Sequence, residues 1–216
     1  MRARTVPDTR TAILETAERL YAERGVHGVS LREIAEAAGQ RNNAAVHYHF
    51  GGRDELLRAL VERRFVELDR RRRAMLADLD ATGRSEDLAS LARVLVLPFT
   101  EAMAVDGGHW VRFVAKLHDD PRFNPFAERA GGRRTYGADD TVTAATREVG
   151  RRIQAVLGID DATALRRFFV VTTLVVHAVA DRQALALAGA AGPLGSPEVL
   201  AENLVEDATV LLGRAA

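Results

Sequence analysis

The feature that most constrains this chain is the tetrapeptide Ser30-Leu31-Arg32-Glu33. A serine can accept from the N–H three residues on while the glutamate reaches back to the serine N–H, the reciprocal pattern that opens a helix. Leu31, Ile34, Ala35 and Ala38 then recur at i, i+3, i+4 and i+7, and Gly39 ends the run. A helix of about eight residues is marginal alone in water and needs neighbours to cover its apolar face.

The flanking sequence supplies them. A first helix is predicted from Asp8 or Thr9, with Ile13, Ala17, Leu20 and Tyr21 on one face and Gly25 as its stop. Asn42 or Asn43 caps a third short helix that runs to Tyr48 or His49 and buries Val46 and Phe50. Gly51-Gly52 breaks the chain again, and a helix predicted over residues 53–80 follows, with Leu57, Leu60, Val61, Phe65 and Leu68 as its stripe. At about 1.5 Å per residue it is roughly 40 Å long, enough to join a small module to a second core.

Residues 9–60 therefore read as a tri-helical unit of the helix-turn-helix kind, whose second helix of the pair enters the major groove. Its outward residues suit that task. Arg41 can pair bidentately with guanine, Asn42 and Asn43 with adenine, and His47 and Tyr48 can donate to bases or phosphates. Ser30 and Arg53 open helices, where backbone N–H groups favour a phosphate. With His49, these eight residues form the candidate DNA-facing set.

These stretches resemble the tetracycline-repressor (TetR) family: Thr11-Ala12-Ile13-Leu14-Glu15-Thr16-Ala17, Gly28-Val29-Ser30-Leu31-Arg32-Glu33-Ile34-Ala35, Ala38-Gly39, and His47-Tyr48-His49-Phe50-Gly51-Gly52-Arg53-Asp54-Glu55-Leu56-Leu57. The resemblance covers about residues 9–60. It implies an all-helical homodimer with an N-terminal DNA-binding domain and a C-terminal domain that binds an effector and dimerises through its last two long helices. Two departures stand out. The turn Gly39-Gln40-Arg41-Asn42-Asn43 is one residue longer than the commonest family pattern, which leaves base contacts open by one position. His47 stands where the family usually has tyrosine.

Charge agrees with this division. The formal net charge is zero, but residues 1–73 carry 15 Arg against 11 Asp and Glu, and the remainder carries 15 basic residues against 19 acidic. The basic excess sits where a DNA-reading module needs it. The Arg70-Arg71-Arg72-Arg73 run reads as a solvated face of the long helix. With no cysteine, disulfides, thiolate zinc sites and a cysteine nucleophile are excluded. No run of about 18 consecutive apolar residues occurs, so no membrane span is expected. The basic start Met1–Asp8 lacks an apolar stretch behind it, and a cytoplasmic protein is expected.

The rest of the chain reads as further helices: one capped by Ser85 and reaching Met103, then His109–His118, and residues 138–157, 161–188 and 198–213. An apolar core of some size is available, because 47% of residues are hydrophobic. Two domains are expected, residues 1–52 and 53–216, of all-α class. Residues 161–188 carry Phe168, Phe169, Val170, Val171, Leu174, Val175, Val176, Ala178 and Val179, a helix apolar on all sides that must be covered on all sides. Leu200, Leu204, Ala208 and Leu211 add a stripe on the last helix. Paired with a symmetry mate, the two helices make an isologous four-helix homodimer seam.

An effector pocket is expected among the middle helices. Phe99, Met103, Trp110, Phe113 and Leu117 offer apolar walls, and His109, Thr173 and His177 offer polar points, a combination suited to a small hydrophobic molecule. Phe123, Phe126 and Tyr136 extend the same apolar supply. His118-Asp119-Asp120, with His109 or His177, is a candidate metal cluster, but Asp120-Pro121 after a helix is an ordinary stop signal, so no metal or cofactor is assigned. There is no H-E-x-x-H, P-loop, G-x-S-x-G or G-x-G-x-x-G. The reading is a sequence-specific DNA-binding regulator, a ligand-responsive repressor of a palindromic operator and not an enzyme. Its alternatives are an activator of the same fold, or a helical interaction protein or enzyme without DNA binding.

Overall fold

The computed structural model describes residues 8–40, 44–104, 109–119 and 143–214. Among these residues every regular element is helical. In chain order they are α1 (Thr9–Arg24), α2 (Leu31–Ala37), α3 (Ala44–Phe50), α4 (Arg53–Ala81), α5 (Leu88–Ala102), α6 (His109–His118), α7 (Ala144–Leu157), α8 (Asp161–Leu187) and α9 (Pro197–Gly213).

The local signals act as the chemistry requires. Asp8 caps α1 by accepting from the Thr11 N–H at 2.7 Å. The capping box of α2 is complete: the Glu33 N–H donates to Ser30 Oγ at 3.2 Å, and the Ser30 N–H donates to Glu33 Oε2 at 2.7 Å. Its far end closes on Gly39 at φ 74°. There the Gly39 N–H reaches the Glu36 carbonyl and the Gln40 N–H reaches the Ala35 carbonyl, at 3.0 and 2.8 Å. This paired closure needs a left-handed residue, which glycine adopts without steric cost. It sets the direction in which the chain leaves toward α3. The expected cap at Asn42 or Asn43 lies outside the described residues.

One start was misread. Asp87, not Ser85, caps α5, with Asp87 Oδ2 accepting from the Ser90 N–H at 2.9 Å. Ser85 donates instead to Asp80 Oδ1 at 2.6 Å, fastening the turn back onto α4. Helix α7 begins at Ala144; residues 138–142 of its expected span lie outside the described residues.

Packing joins the two ends of the chain. Ile13, Ala17, Tyr21, Ile34, Val46, Leu57 and Leu60 are buried in the first three helices and the start of α4. Their core continues without a break into Trp110, Phe113, Val149, Val175 and Ala208. The two most extensive helix pairs are α5 with α9 and α1 with α6. The second pair is the more consequential, because it seats the N-terminal head directly on the body.

Leu204 and Ala208, read as part of the dimer seam, are buried inside the protomer, because α9 turns that face onto α5. Leu200 and Leu211 are half-buried beside them, while Val199 and Val210 face outward, Val210 at 67% exposure. Within the arginine run, Arg70, Arg71 and Arg73 pair with Glu67, Glu101 and Asp69. Arg72 does not lie on a solvated face at all; it is 3% exposed, because it falls in phase with the buried Leu68, Leu76 and Leu79.

Helix α8 buries Val171, Val175, Val176 and Val179 and exposes Phe169, Val170 and Leu185. By length and composition it could cross a bilayer, yet only 22% of its most apolar window is buried within the protomer. Among the described residues, much of the helix is only partly covered.

Candidate functional site

The head presents a short helix on a rigid base. Val46 and Phe50 anchor α3 from below, both buried. Being four apart, they fix which side of α3 faces out. His47 and Tyr48 stand on that side, Tyr48 at 85% exposure. The ring of Tyr48 meets His49 edge-on at 5.0 Å, and His49 is half-buried toward Phe50. His47 Nδ1 lies 3.2 Å from the Gly51 carbonyl, which holds the ring at the end of α3. Arg41, Asn42 and Asn43 lie outside the described residues.

Ser30 is exposed at the start of α2. The bonds from the Ser30 backbone N–H and hydroxyl, with Arg24 alongside, hold the Glu33 carboxyl down to about 2. Arg53 is half-buried, and its guanidinium donates to the Val26 carbonyl. That bond ties the loop before α2 to the start of α4. Arg53 thus has a structural duty that its place at a helix start did not announce.

Sequence reasoning missed the pair that fixes head to helix. Arg64 on α4 grips Glu18 on α1 with two bonds, Nε to Oε2 at 2.8 Å and Nη2 to Oε1 at 2.6 Å. Both side chains are largely out of water, 14% and 4% exposed.

The expected effector residues divide into two groups. Trp110 and Phe113 lie with the head junction. Trp110 meets Phe65 of α4 edge-on at 6.0 Å, and Phe113 stacks on Tyr21 of α1 at 6.0 Å. Arg112 reaches the Ala22 carbonyl at 3.4 Å. The Tyr21 hydroxyl is buried with no hydrogen-bond partner among the described residues, and burial pushes it up to about 12. His109 opens α6 with Nδ1 buried and likewise without a partner.

The other group faces α8. His118 and His177 approach with ring centroids 6.3 Å apart, and His177 Nε2 lies 3.9 Å from Asp119 Oδ1. Burial, with the nearby His177 adding to it and Asp119 opposing, holds His118 down to about 4. At neutral pH it is an uncharged imidazole, a donor and an acceptor together. Thr173 is half-buried one turn before His177, and Leu117, Met103 and Phe99 are buried on α6 and around α5. Among the described residues no group of three or more metal-binding side chains gathers. Asp120, Phe123, Phe126 and Tyr136 lie outside them.

Comparison with known proteins agrees with this layout. Residues 13–60 match the family model for bacterial regulatory proteins of the tetR family. Over 55 residues the chain is 42% identical to the HTH-type transcriptional regulator TtgR of Pseudomonas putida, covering 26% of each protein. Over 54 residues it is 40% identical to the HTH-type transcriptional repressor AcnR of Corynebacterium efficiens, covering 25% of this chain and 28% of that one. The match spans about a quarter of the length of these curated relatives. The fold extends further. A tetR-family transcription regulator from Shewanella sp. PV-4 superposes with a TM-score of 0.61 at 17% identity, covering 93% of this chain and 98% of that one. NalD of Pseudomonas aeruginosa, the secondary repressor of the MexAB-OprM multidrug efflux pump, gives 0.54 at 20% identity and covers 93% of both. At those identities the likeness speaks to the fold. Residues 13–60, with the exposed α3 face, are thus similar to the head of bacterial regulatory proteins of the tetR family, and the chain shares its fold with the solved regulators above.

Proposed function

We propose that this regulator is a ligand-responsive repressor that binds a palindromic duplex operator as a homodimer in the cytoplasm. The observation that carries the reading is α3: a helix of seven residues, anchored by Val46 and Phe50, that holds His47 and Tyr48 out to solvent beside a family-matched head. Residues 1–52 form the reading head and residues 53–216 the effector-binding and dimerising body. Arg41, Asn42 and Asn43 read base edges, with His47, Tyr48 and His49 beside them. Ser30 and Arg53 take backbone phosphates. The repressor sense is supported by AcnR, named a repressor, whose head this one resembles.

The body takes a small hydrophobic molecule among Phe99, Met103, His109, Trp110, Leu117, Thr173 and His177, with Phe113 at the rim nearest the head. The ring nitrogens of His109 and His177 can donate to or accept from a ligand carbonyl or hydroxyl. Helix α6 is placed to relay binding, since it touches α1 through Phe113 and α8 through His118. A ligand shifts DNA affinity only as far as its affinities for the two arrangements differ.

The test is operator selection. Full-length protein is used to enrich duplexes from a random library, and affinities for the enriched duplex are measured by fluorescence anisotropy. The Arg41→Ala/Asn42→Ala double variant is expected to bind at least about tenfold more weakly, as loss of bidentate base contacts requires. Wild-type affinity in that variant would remove the assignment of the reading helix. Failure of the wild type to enrich any duplex would remove DNA binding itself.

A further inference from the structure

Helix α5 contains a proline, Pro98, in its interior. A proline has no N–H, so the carbonyl of Val94, four residues earlier, loses its intrahelical donor, and the ring crowds that same carbonyl. A buried carbonyl without a partner is costly, and it is filled from elsewhere. The filler comes from α4. Arg72 Nε donates to the Val94 carbonyl and Nη2 to the Leu95 carbonyl, both at 3.4 Å. Nη1 donates to Thr146 Oγ1 of α7 at 2.9 Å, and the guanidinium lies over the Phe99 ring, 5.3 Å from its centroid.

The preceding turn of α4 completes the arrangement. Asp69 is as buried as Arg72, and its Oδ1 accepts from the Ala145 N–H at the start of α7 at 2.6 Å. Its Oδ2 accepts from Arg73 at 2.6 Å. Residues 69 and 72 thus face the same way from adjacent turns and fasten one segment of α4 to two helices of the body. The contacts are directional: a planar fork meeting two successive carbonyls admits one orientation, which a lysine ammonium does not impose.

We propose that Arg72, seated in the proline break of α5, is the positioning residue that sets the pose of α4 on the body and thereby the spacing of the two reading heads. The inference rests on the reading of the chain as a dimeric operator-binding regulator. Helix α4 is the covalent link to the head. From Arg72 to Arg53 it runs about 28 Å at 1.5 Å per residue, so a tilt of about 5° at Arg72 moves the head by roughly 2.5 Å. A break in α5 that a distant side chain must fill makes the register of α4 depend on the shape of α5, a wall of the proposed effector site.

The experiment uses the absence of cysteine in the chain. A single Ala37→Cys change on the exposed end of α2 carries one spin label per head, and pulsed electron–electron resonance reads the head-to-head distance. In the same background, Arg72→Met is expected to shift or broaden that distance and to weaken affinity for the enriched operator by about 2- to 30-fold. Arg72→Lys should not restore the distance. Arg72→Met/Pro98→Ala should restore it in part, because residue 98 then donates its own N–H to Val94. Where Arg72→Met fails to fold, Pro98→Ala alone carries the test, since an N–H at residue 98 fills the Val94 carbonyl from within α5, removes the seat and must move the heads. A melting temperature that falls while distance and affinity stay at wild-type values would make Arg72 an ordinary core residue and overturn the proposal. If the labelled wild type gives no inter-head distance and selects no operator, the dimeric-regulator reading fails instead.

Discussion

At the scale of single residues, His118 ties stability to pH in a window of its own. Its imidazole is held down to about 4 by burial first and by His177 second, against an ordinary value of 6.5. Above pH 6.5 neither folded nor unfolded chain protonates it, and it costs nothing. Between 6.5 and 4 the unfolded chain takes a proton that the folded one refuses, so stability falls as pH falls. The slope approaches about 1.4 kcal/mol per pH unit, and the whole window is worth on the order of 3 kcal/mol. The carboxyls of Asp80 and Glu148, both held down to about 2 by hydrogen bonds that include Arg152, act lower. Their stabilisation is present above about 4.5 and lost as pH falls toward 2. Urea unfolding at about pH 7.0, 5.5, 4.5 and 3.0 separates the two windows, which are set by the values above. His118→Gln is expected to flatten the upper one and leave the lower one in place. An unchanged slope between pH 6.5 and 4.5 would assign the loss to another group.

Helices are joined by charged side chains that sequence periodicity does not flag. The Glu18–Arg64 pair between α1 and α4 is the clearest case. Removing one member leaves the other charged and buried, which costs about 3–5 kcal/mol, far more than an exposed pair is worth. Arg64→Met is therefore expected to lower stability by that order in chemical denaturation, and Arg63→Met, whose partner Glu15 is half exposed, by less than about 1 kcal/mol. Equal effects would contradict the burial difference. The same pairs explain what could and could not be read beforehand. Local signals act within a few residues, so the Ser30–Glu33 box and the Gly39 stop were legible from the letters alone. Tertiary pairing is not local: Glu18 and Arg64 are 46 residues apart, and nothing in either neighbourhood names the other. Arg72 is intermediate. Four arginines in a row read as solvated, yet position 72 is four from both Leu68 and Leu76, and the mid-helix Pro98 announced a carbonyl in want of a donor. Those two facts together were a usable signal. The choice of Leu204 and Ala208 for the dimer seam failed for a related reason. A two-sided helix shows its apolar faces in sequence but not which one its own chain will take.

For the whole molecule, that last ambiguity becomes a prediction about assembly. Helix α9 spends one apolar face on α5 and still shows Val199 and Val210; α8 shows Phe169 and Val170 along its outer side. Apolar side chains exposed on two helices that pack together offer a surface of a kind that protein interfaces cover. In the proposed homodimer, a second copy related by a twofold axis would cover it with the same surface, and the same axis would bring two α3 helices to one side of the particle, about 34 Å apart on successive turns of a duplex. The seam is therefore expected to run through Phe169, Val170 and Val210, not through the Leu204 stripe. A Phe169→Asp/Val210→Asp variant places four carboxylates in the seam of each dimer, while both positions stay solvated in the protomer. Sedimentation velocity should then show a monomer in place of a dimer, with circular dichroism still helical. Operator affinity should fall steeply, because each head alone keeps only half of the contacts. Leu204→Asp should instead unfold the protomer, since that side chain lies in its own core. A variant at 169 and 210 that remains dimeric would move the seam to another face, and a monomeric variant that keeps full operator affinity would separate DNA reading from assembly altogether.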